Sequence, residues 1–163
     1  MINATRGSSN VHFSSESDEW ETPQEFFDGL NEEFGFSLDP CATAENTKCE
    51  RFYDKSSNGL AMSWEGEVVF MNPPYGREIG KWIRKAYGEI NATVVCLVPA
   101  RTDTTYWQKY CMLADEIRFV DGRLQFGDSE NSAPFPSAVI VFLPGPRMPG
   151  PSVFSSDRYG KKI

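Results

Sequence analysis

Asn72-Pro73-Pro74-Tyr75 is the stretch of this chain best suited to chemistry. It follows Val68-Val69-Phe70-Met71, an apolar run that reads as a buried strand, so it stands in the turn at that strand's carboxyl end. Two consecutive prolines fix φ and remove two N–H donors. Their carbonyls remain as acceptors, and the Asn72 amide oxygen adds another. Tyr75 sets a flat aromatic face beside them. Acceptors for amino hydrogens next to a stacking face suit a planar, amino-bearing ring. The competing reading is a plain strand-ending turn, for which Asn and Pro are common.

The elements around this turn follow from the pattern of the chain. Thr22-Pro23-Gln24-Glu25 reads as a helix start, with Thr22 as cap, Pro23 in the first position and Glu25 completing a capping box. Phe26, Phe27, Leu30 and Phe34 then line one face, and Gly35 ends the helix. Phe36 to Asp39 reads as a short strand ending in an acid. Residues 41–58 are poorly patterned, with a weak strand near Glu50 to Tyr53, and Leu60 to Trp64 suggests a helical turn. After the strand Glu67 to Met71, Ile79, Trp82, Ile83, Ala86, Tyr87 and Ile90 recur at helical spacing. A buried strand at Thr93 to Val98, closed by Pro99, precedes a third helix over 103–114. Glu116 to Val120 reads as a strand, with Asp121-Gly122 turning it into a hairpin partner at Arg123 to Phe126. Ser137 to Leu143 is the last strand.

Alternating strands and helices predict an α/β fold: a mostly parallel twisted sheet with helices on both faces and one antiparallel strand near the C-terminus. Ligands of such sheets sit beyond the strands' carboxyl ends at the topological switch point. Asp39 and Asn72 both stand at such ends. Residues 20–143 form a single domain in this reading, between a polar, Ser-rich arm over 1–19 and a Pro/Gly-rich tail from 144 expected to carry little fixed structure.

Composition sets the bounds. The chain has 163 residues, 40% hydrophobic and 13% aromatic, enough for one well-packed core. No apolar run is long enough to span a membrane, and the N-terminus lacks an apolar signal core, so a cytoplasmic protein is expected. Cys41, Cys49, Cys96 and Cys111 form no C-x-x-C pair and His12 is the only histidine, which speaks against a metal site. Disulfides are not expected in a reducing compartment. A net charge of −7 argues against a large nucleic-acid footprint. The charge is uneven, however. Glu16 to Glu33 holds eight acids and no base, whereas Asn72 to Arg123 holds eight bases, Arg118 among them, against six acids. A polyanion would meet the surface near the Asn-Pro-Pro-Tyr turn.

Three motifs in order carry a resemblance: Trp20-Glu21-Thr22-Pro23, then Leu38-Asp39-Pro40-Cys41-Ala42, then Asn72-Pro73-Pro74-Tyr75-Gly76. Pro99-Ala100-Arg101-Thr102-Asp103-Thr104 and Gly122-Arg123-Leu124 add to it. Over roughly Trp20 to Leu143 the chain resembles the phage-type, Dam-like DNA N6-adenine methyltransferases. The resemblance implies a Rossmann-like methyltransferase fold, S-adenosylmethionine as cofactor, and the N6 amino group of adenine, in duplex DNA, as acceptor. Asp39, with Pro40 and Cys41, matches the acid expected near the methionine amino group. Thr22 and Pro23 match the upstream motif that contacts the methionine carboxylate, in competition with the capping role. Asp54 lies where a ribose-binding acid would stand, or is a solvated turn residue. Asn72 and Pro73 would take the amino hydrogens of a flipped-out adenine, with Pro74 completing the turn and Tyr75 stacking on the base. Phe135 stands where related enzymes place a second aromatic, or plugs the core. Arg101 would hold a phosphate or pair with Asp103. Ala42-Thr43-Ala44 replaces the Gly-x-Gly turn of the wider methyltransferase pattern. An RNA adenine or a protein glutamine amide presents a similar amino group, and a catalytically inert cofactor- or DNA-binding module is the alternative from another class.

Overall fold

The structure is a computed structural model that describes residues 19–163. Apart from Glu19, the polar arm expected over 1–19 lies outside the described residues. Seven strands form one sheet: β1 (Leu38–Asp39), β2 (Arg51–Phe52), β3 (Val68–Met71), β4 (Thr93–Pro99), β5 (Glu116–Val120), β6 (Ser137–Phe142) and β7 (Ser152–Ser156). Their order is β2-β1-β3-β4-β6-β5-β7. Only β6 runs against the others, pairing antiparallel with both β4 and β5. The expected mixed α/β architecture is the observed one.

Residue types explain the placement. All six residues of β6 and six of the seven in β4 are buried, as suits β-branched runs covered on both faces of a sheet. Helix α1 (Gln24–Phe34) turns Phe26, Phe27 and Leu30 into the core and leaves Glu25, Asp28, Glu32 and Glu33 in solvent. Gly35 ends it in the left-handed region at φ 68°, where glycine carries no Cβ penalty. Helix α2 (Ile79–Gly88) buries Ile79, Ile83 and Ala86, while Ile90 falls beyond its end and is exposed. The third helix is shorter than its spacing suggested: α3 covers Thr105–Lys109 and passes into a 3-10 turn at Cys111–Leu113. Leu60 to Trp64 is a turn and bend with no helix.

Two expectations at the C-terminal end are corrected. Arg123 to Phe126 does not pair as a hairpin strand, because β6 and β7 already take both edges of β5. The segment instead buries Leu124 and Phe126. The tail is not unstructured either. Its Ser152–Ser156 stretch extends the sheet parallel to β5, and the chain then folds back, bridging Ser156 to Lys162. Close packing holds this return. A Cβ on Gly29 of α1 would lie 1.8 Å from the Tyr159 carbonyl oxygen.

Arg118 also departs from expectation. By sequence it counts among the bases that could face a polyanion, yet it is fully buried on β5. Both its terminal nitrogens donate to Glu33 at 2.7 Å, Nε and Nη2 donate to Glu116 at 3.0 and 2.9 Å, and the guanidinium lies over Phe34. This network ties α1 to the sheet and, through Lys162 on Glu116, to the tail.

Candidate active site

The sheet order creates the site. From β1 the chain steps outward to β2 and returns on the other side of β1 as β3. At this switch point the connections leaving β1 and β3 diverge, and a crevice opens past their carboxyl ends. A cavity of about 470 Å³ lies there, lined by Asp39, Pro40 and Cys41 after β1 and by Asn72, Pro73 and Pro74 after β3. Thr22 and Asp54 line it too. The turn and the two motifs upstream of it, far apart in sequence, therefore meet in one place. Pro23 and Tyr75 do not border the cavity, and neither do Phe135 and Arg101.

Asp39 is buried, and its Oδ2 accepts the Lys48 N–H at 3.2 Å. Burial pushes its carboxyl up to about 6, against the opposing effect of the Lys48 and Cys41 N–H groups. Asp54 behaves oppositely. It is the hub of a turn in which Ser56, Ser57 and the Ser57 N–H all donate to Oδ1, and these bonds hold it down at about 2. It is thus both a turn residue and part of the cavity rim. Cys41 donates its thiol to the Asn72 carbonyl at 3.3 Å, and burial raises its pKa well above the thiol range. All four cysteines are free.

Thr22 does not cap its helix. The N-cap position falls on Pro23, no side chain caps α1, and the expected capping box is absent. The Thr22 Oγ1 instead accepts a hydrogen from Asn72 Nδ2 at 2.8 Å. Asn72 Nδ2 also donates to the Trp20 carbonyl. Both amide hydrogens are thereby used, while Asn72 Oδ1 is buried and receives none. Buried polar atoms are normally paired; among the described residues Asn72 Oδ1 shares its unpaired state with Tyr106 Oη and Ser137 Oγ, and of the three residues Asn72 alone lines the cavity. Among the described residues, no donor reaches the Pro73 or Pro74 carbonyl either.

Adjoining this acceptor set is an aromatic cluster. The Tyr75 ring meets Phe126 and Phe135 edge-on, and Trp20 meets the same two at 5.6 and 5.1 Å. The Tyr75 hydroxyl donates to the Leu97 carbonyl at 3.1 Å. Phe135 is buried in the cluster, as a plug would be, and Arg101 lies over its ring at 5.7 Å, exposed and without an ion pair to Asp103.

Four further residues shape the site without a chemical signature in the sequence. Trp20 was noted only as part of a motif, yet its carbonyl and ring join the acceptor set to the aromatic cluster. Lys48 and Lys55 pair with Glu21 and Glu19 at 3.5 and 3.1 Å on either side of Trp20 in sequence, and all five residues line the cavity. Gly59 lets its loop close against the segment after β1: a Cβ there would lie 2.0 Å from the Pro40 carbonyl oxygen. The Asn58-Gly59 pair, a common turn signal, was the available clue.

Comparison with known proteins decides the family. The model of the family described as DNA N-6-adenine-methyltransferase (Dam) matches residues 9–147. The chain belongs to this family of adenine-specific DNA methyltransferases. It is 30% identical over 140 residues to the DNA N-6-adenine-methyltransferase of Haemophilus phage HP1, covering 80% of this chain and 81% of that one. It is also 32% identical over 111 residues to the protein of the same name in Escherichia phage T1, covering 66% of this chain and 46% of that one. The Dam-family match spans the whole site and ends before β7.

Proposed function

We propose that the protein transfers a methyl group from S-adenosylmethionine to the N6 amino group of an adenine flipped out of duplex DNA. The observation that carries this reading is the Asn72 amide: both hydrogens engaged inward, and a buried, unpaired Oδ1 beside two unclaimed proline carbonyls.

The residues fit the cofactor. The cavity volume lies in the range of small-molecule sites. Its buried Asp39 carboxylate would meet the cofactor's ammonium group, Pro40 and Cys41 would wall it, and Asp54 at the rim would take the ribose hydroxyls. Thr22 and the start of α1 at Pro23 would lie towards the cofactor carboxylate. The bound cofactor supplies an electrophilic methyl group. The protein's own work is done on the acceptor. The lone pair of an adenine amine is delocalised into its ring. Asn72 Oδ1 and the Pro73 carbonyl, each taking one amino hydrogen, favour a pyramidal nitrogen with a localised lone pair. Such prearranged acceptors need no reorganisation during transfer. Pro73 and Pro74 keep the turn rigid and free of competing N–H groups, and alignment supplies much of the remaining rate. The Tyr75 ring would stack on the base once the Trp20–Phe135 contact opens to admit it, with Phe135 as the second aromatic.

Asp39 gives the reading a pH signature. Pairing with an ammonium group favours the ionised carboxylate, so binding lowers its pKa and releases a proton when it starts near pH 6. Cofactor affinity is therefore expected to fall as pH drops from about 7 to below about 6. Titration calorimetry in buffers of different ionisation enthalpy reads both effects, and an affinity unchanged down to pH 5 would remove Asp39 from the cofactor site.

The DNA footprint is expected to be small. Lys81 and Lys85 pair with Glu78 and Glu89, and Arg118 is buried. Between Asn72 and Arg123, five bases remain exposed without acidic partners among the described residues: Arg84 and Lys109 lie on α2 and α3, and Arg77, Arg101 and Arg123 follow the carboxyl ends of β3, β4 and β5 on the site's edge of the sheet. Three phosphate contacts predict a slope of log affinity against log salt of about −3. Filter binding across a salt series checks this, and a slope near zero would deny phosphate contact.

Incubation with methyl-labelled S-adenosylmethionine and DNA, RNA or bulk protein tests the acceptor class. Label in DNA alone is expected. Label in protein or RNA alone would overturn the reading.

A further inference from the structure

The threonine that precedes α1 leaves its own helix uncapped, although threonine is a favoured capping residue. Thr22 is buried, and its hydroxyl accepts from a side chain fifty positions away, the Asn72 amide. The second Asn72 amide hydrogen goes to the Trp20 carbonyl, which can only accept. Rotating the amide by half a turn would press Oδ1 against that carbonyl and swing the NH2 towards the cavity. The site would then offer donors where the amine presents its own hydrogens. With both inward partners in place, Oδ1 is left as the free end of the amide.

We propose that Thr22 is a positioning residue for the transfer: its hydroxyl locks the Asn72 carboxamide in the orientation that presents Oδ1 to the acceptor amine. This deepens the adenine-amine reading and rests on it. It also gives Thr22, which lies towards the cofactor in that reading, a role on the acceptor side. The hydroxyl oxygen is engaged by Asn72, and its effect on rate runs through that amide.

Thr22→Val keeps the shape and removes the hydroxyl, Thr22→Ala removes both, and Thr22→Ser restores the hydroxyl. At saturating S-adenosylmethionine and DNA, Thr22→Val is expected to lower kcat about tenfold, with cofactor Kd by calorimetry within about twofold of wild type. Thr22→Ser is expected to recover most of the rate. In 15N-labelled protein without substrate, the Asn72 side-chain NH2 signals, assigned by their loss in Asn72→Ala, should shift in the Val and Ala variants and hold in the Ser variant. Thermal transitions of all three select variants that fold, and either hydroxyl-free variant decides the matter. A Kd weakened about tenfold at unchanged kcat would make Thr22 a cofactor contact and overturn the proposal. Unmoved NH2 signals would also overturn it. The NH2 signals need no turnover, so a wild-type protein that fails to methylate DNA would sink the functional reading alone.

Discussion

Asn72→Ala is expected to lower kcat for DNA methylation about a thousandfold, near the upper effect of removing one prearranged hydrogen-bonding group from a buried site. The reason is local. Oδ1 is the one side-chain acceptor in the set, and its burial keeps water from substituting for it. Cofactor affinity should change by less than about threefold, because the Asp39 side of the cavity is built on β1 and the loop after it. The substitution also strands the Trp20 carbonyl and Thr22 hydroxyl, which accept from Nδ2. A stability loss of about 1 to 2 kcal/mol is expected from that alone. Steady-state rates, calorimetric titration and thermal denaturation on one preparation separate the three effects. Parallel loss of rate and cofactor affinity would mean that Asn72 holds the cavity together and does not act on the acceptor.

Removing Arg118 should produce the largest stability effect. Its guanidinium is fully buried and satisfied by two carboxylates, and Arg118→Ala leaves Glu33 without its partner and Glu116 with Lys162 alone, beside a cavity. Breaking a buried pair costs about 3 to 5 kcal/mol. The Glu33 side chain is 41% exposed, so solvent offsets part of this and about 3 kcal/mol is expected. For a domain of this size that corresponds to a melting temperature lower by roughly 6 to 12 °C. The pH dependence has a definite sign. The Arg118 hydrogen bonds hold the Glu33 carboxyl below its ordinary value of 4.5. A depressed folded-state pKa contributes stability above the unfolded value and loses it as pH falls through the folded one. The gap between wild type and Arg118→Ala should therefore be widest near neutral pH and narrow progressively below 4.5. Urea denaturation at several pH values reads this directly. Equal stability at neutral pH would show that the network is dispensable.

How far the chain could be read without its structure varied with the kind of information involved. Buried strands such as β3 and β4 are unbroken apolar runs, and α1 and α2 carry helical periodicity, so local pattern was sufficient. The carboxyl-end positions of Asp39 and Asn72 followed from those strands. What pattern could not supply was competition between partners. Thr22 fits a helix cap by every local rule, and only the approach of Asn72 diverts its hydroxyl. Arg123 to Phe126 follows a good turn signal, but β5 has no free edge left for it. Ser152–Ser156, preceded by prolines, becomes a strand because that same edge recruits it. Arg118 reads as one more surface base until Glu33, eighty-five positions earlier, is brought against it. Each miss is a long-range contact overriding a sound local preference.

A clamp of Asn72 and Pro73 on an adenine amine must leave its mark on the methylated product. The most direct test is to digest labelled DNA from reactions with wild type and Asn72→Ala and to identify the methylated nucleoside by chromatography and mass. The account predicts N6-methyldeoxyadenosine as the sole labelled product of the wild type, and almost none from the variant. A methylated cytosine, or undiminished N6-methyldeoxyadenosine from Asn72→Ala, would contradict it.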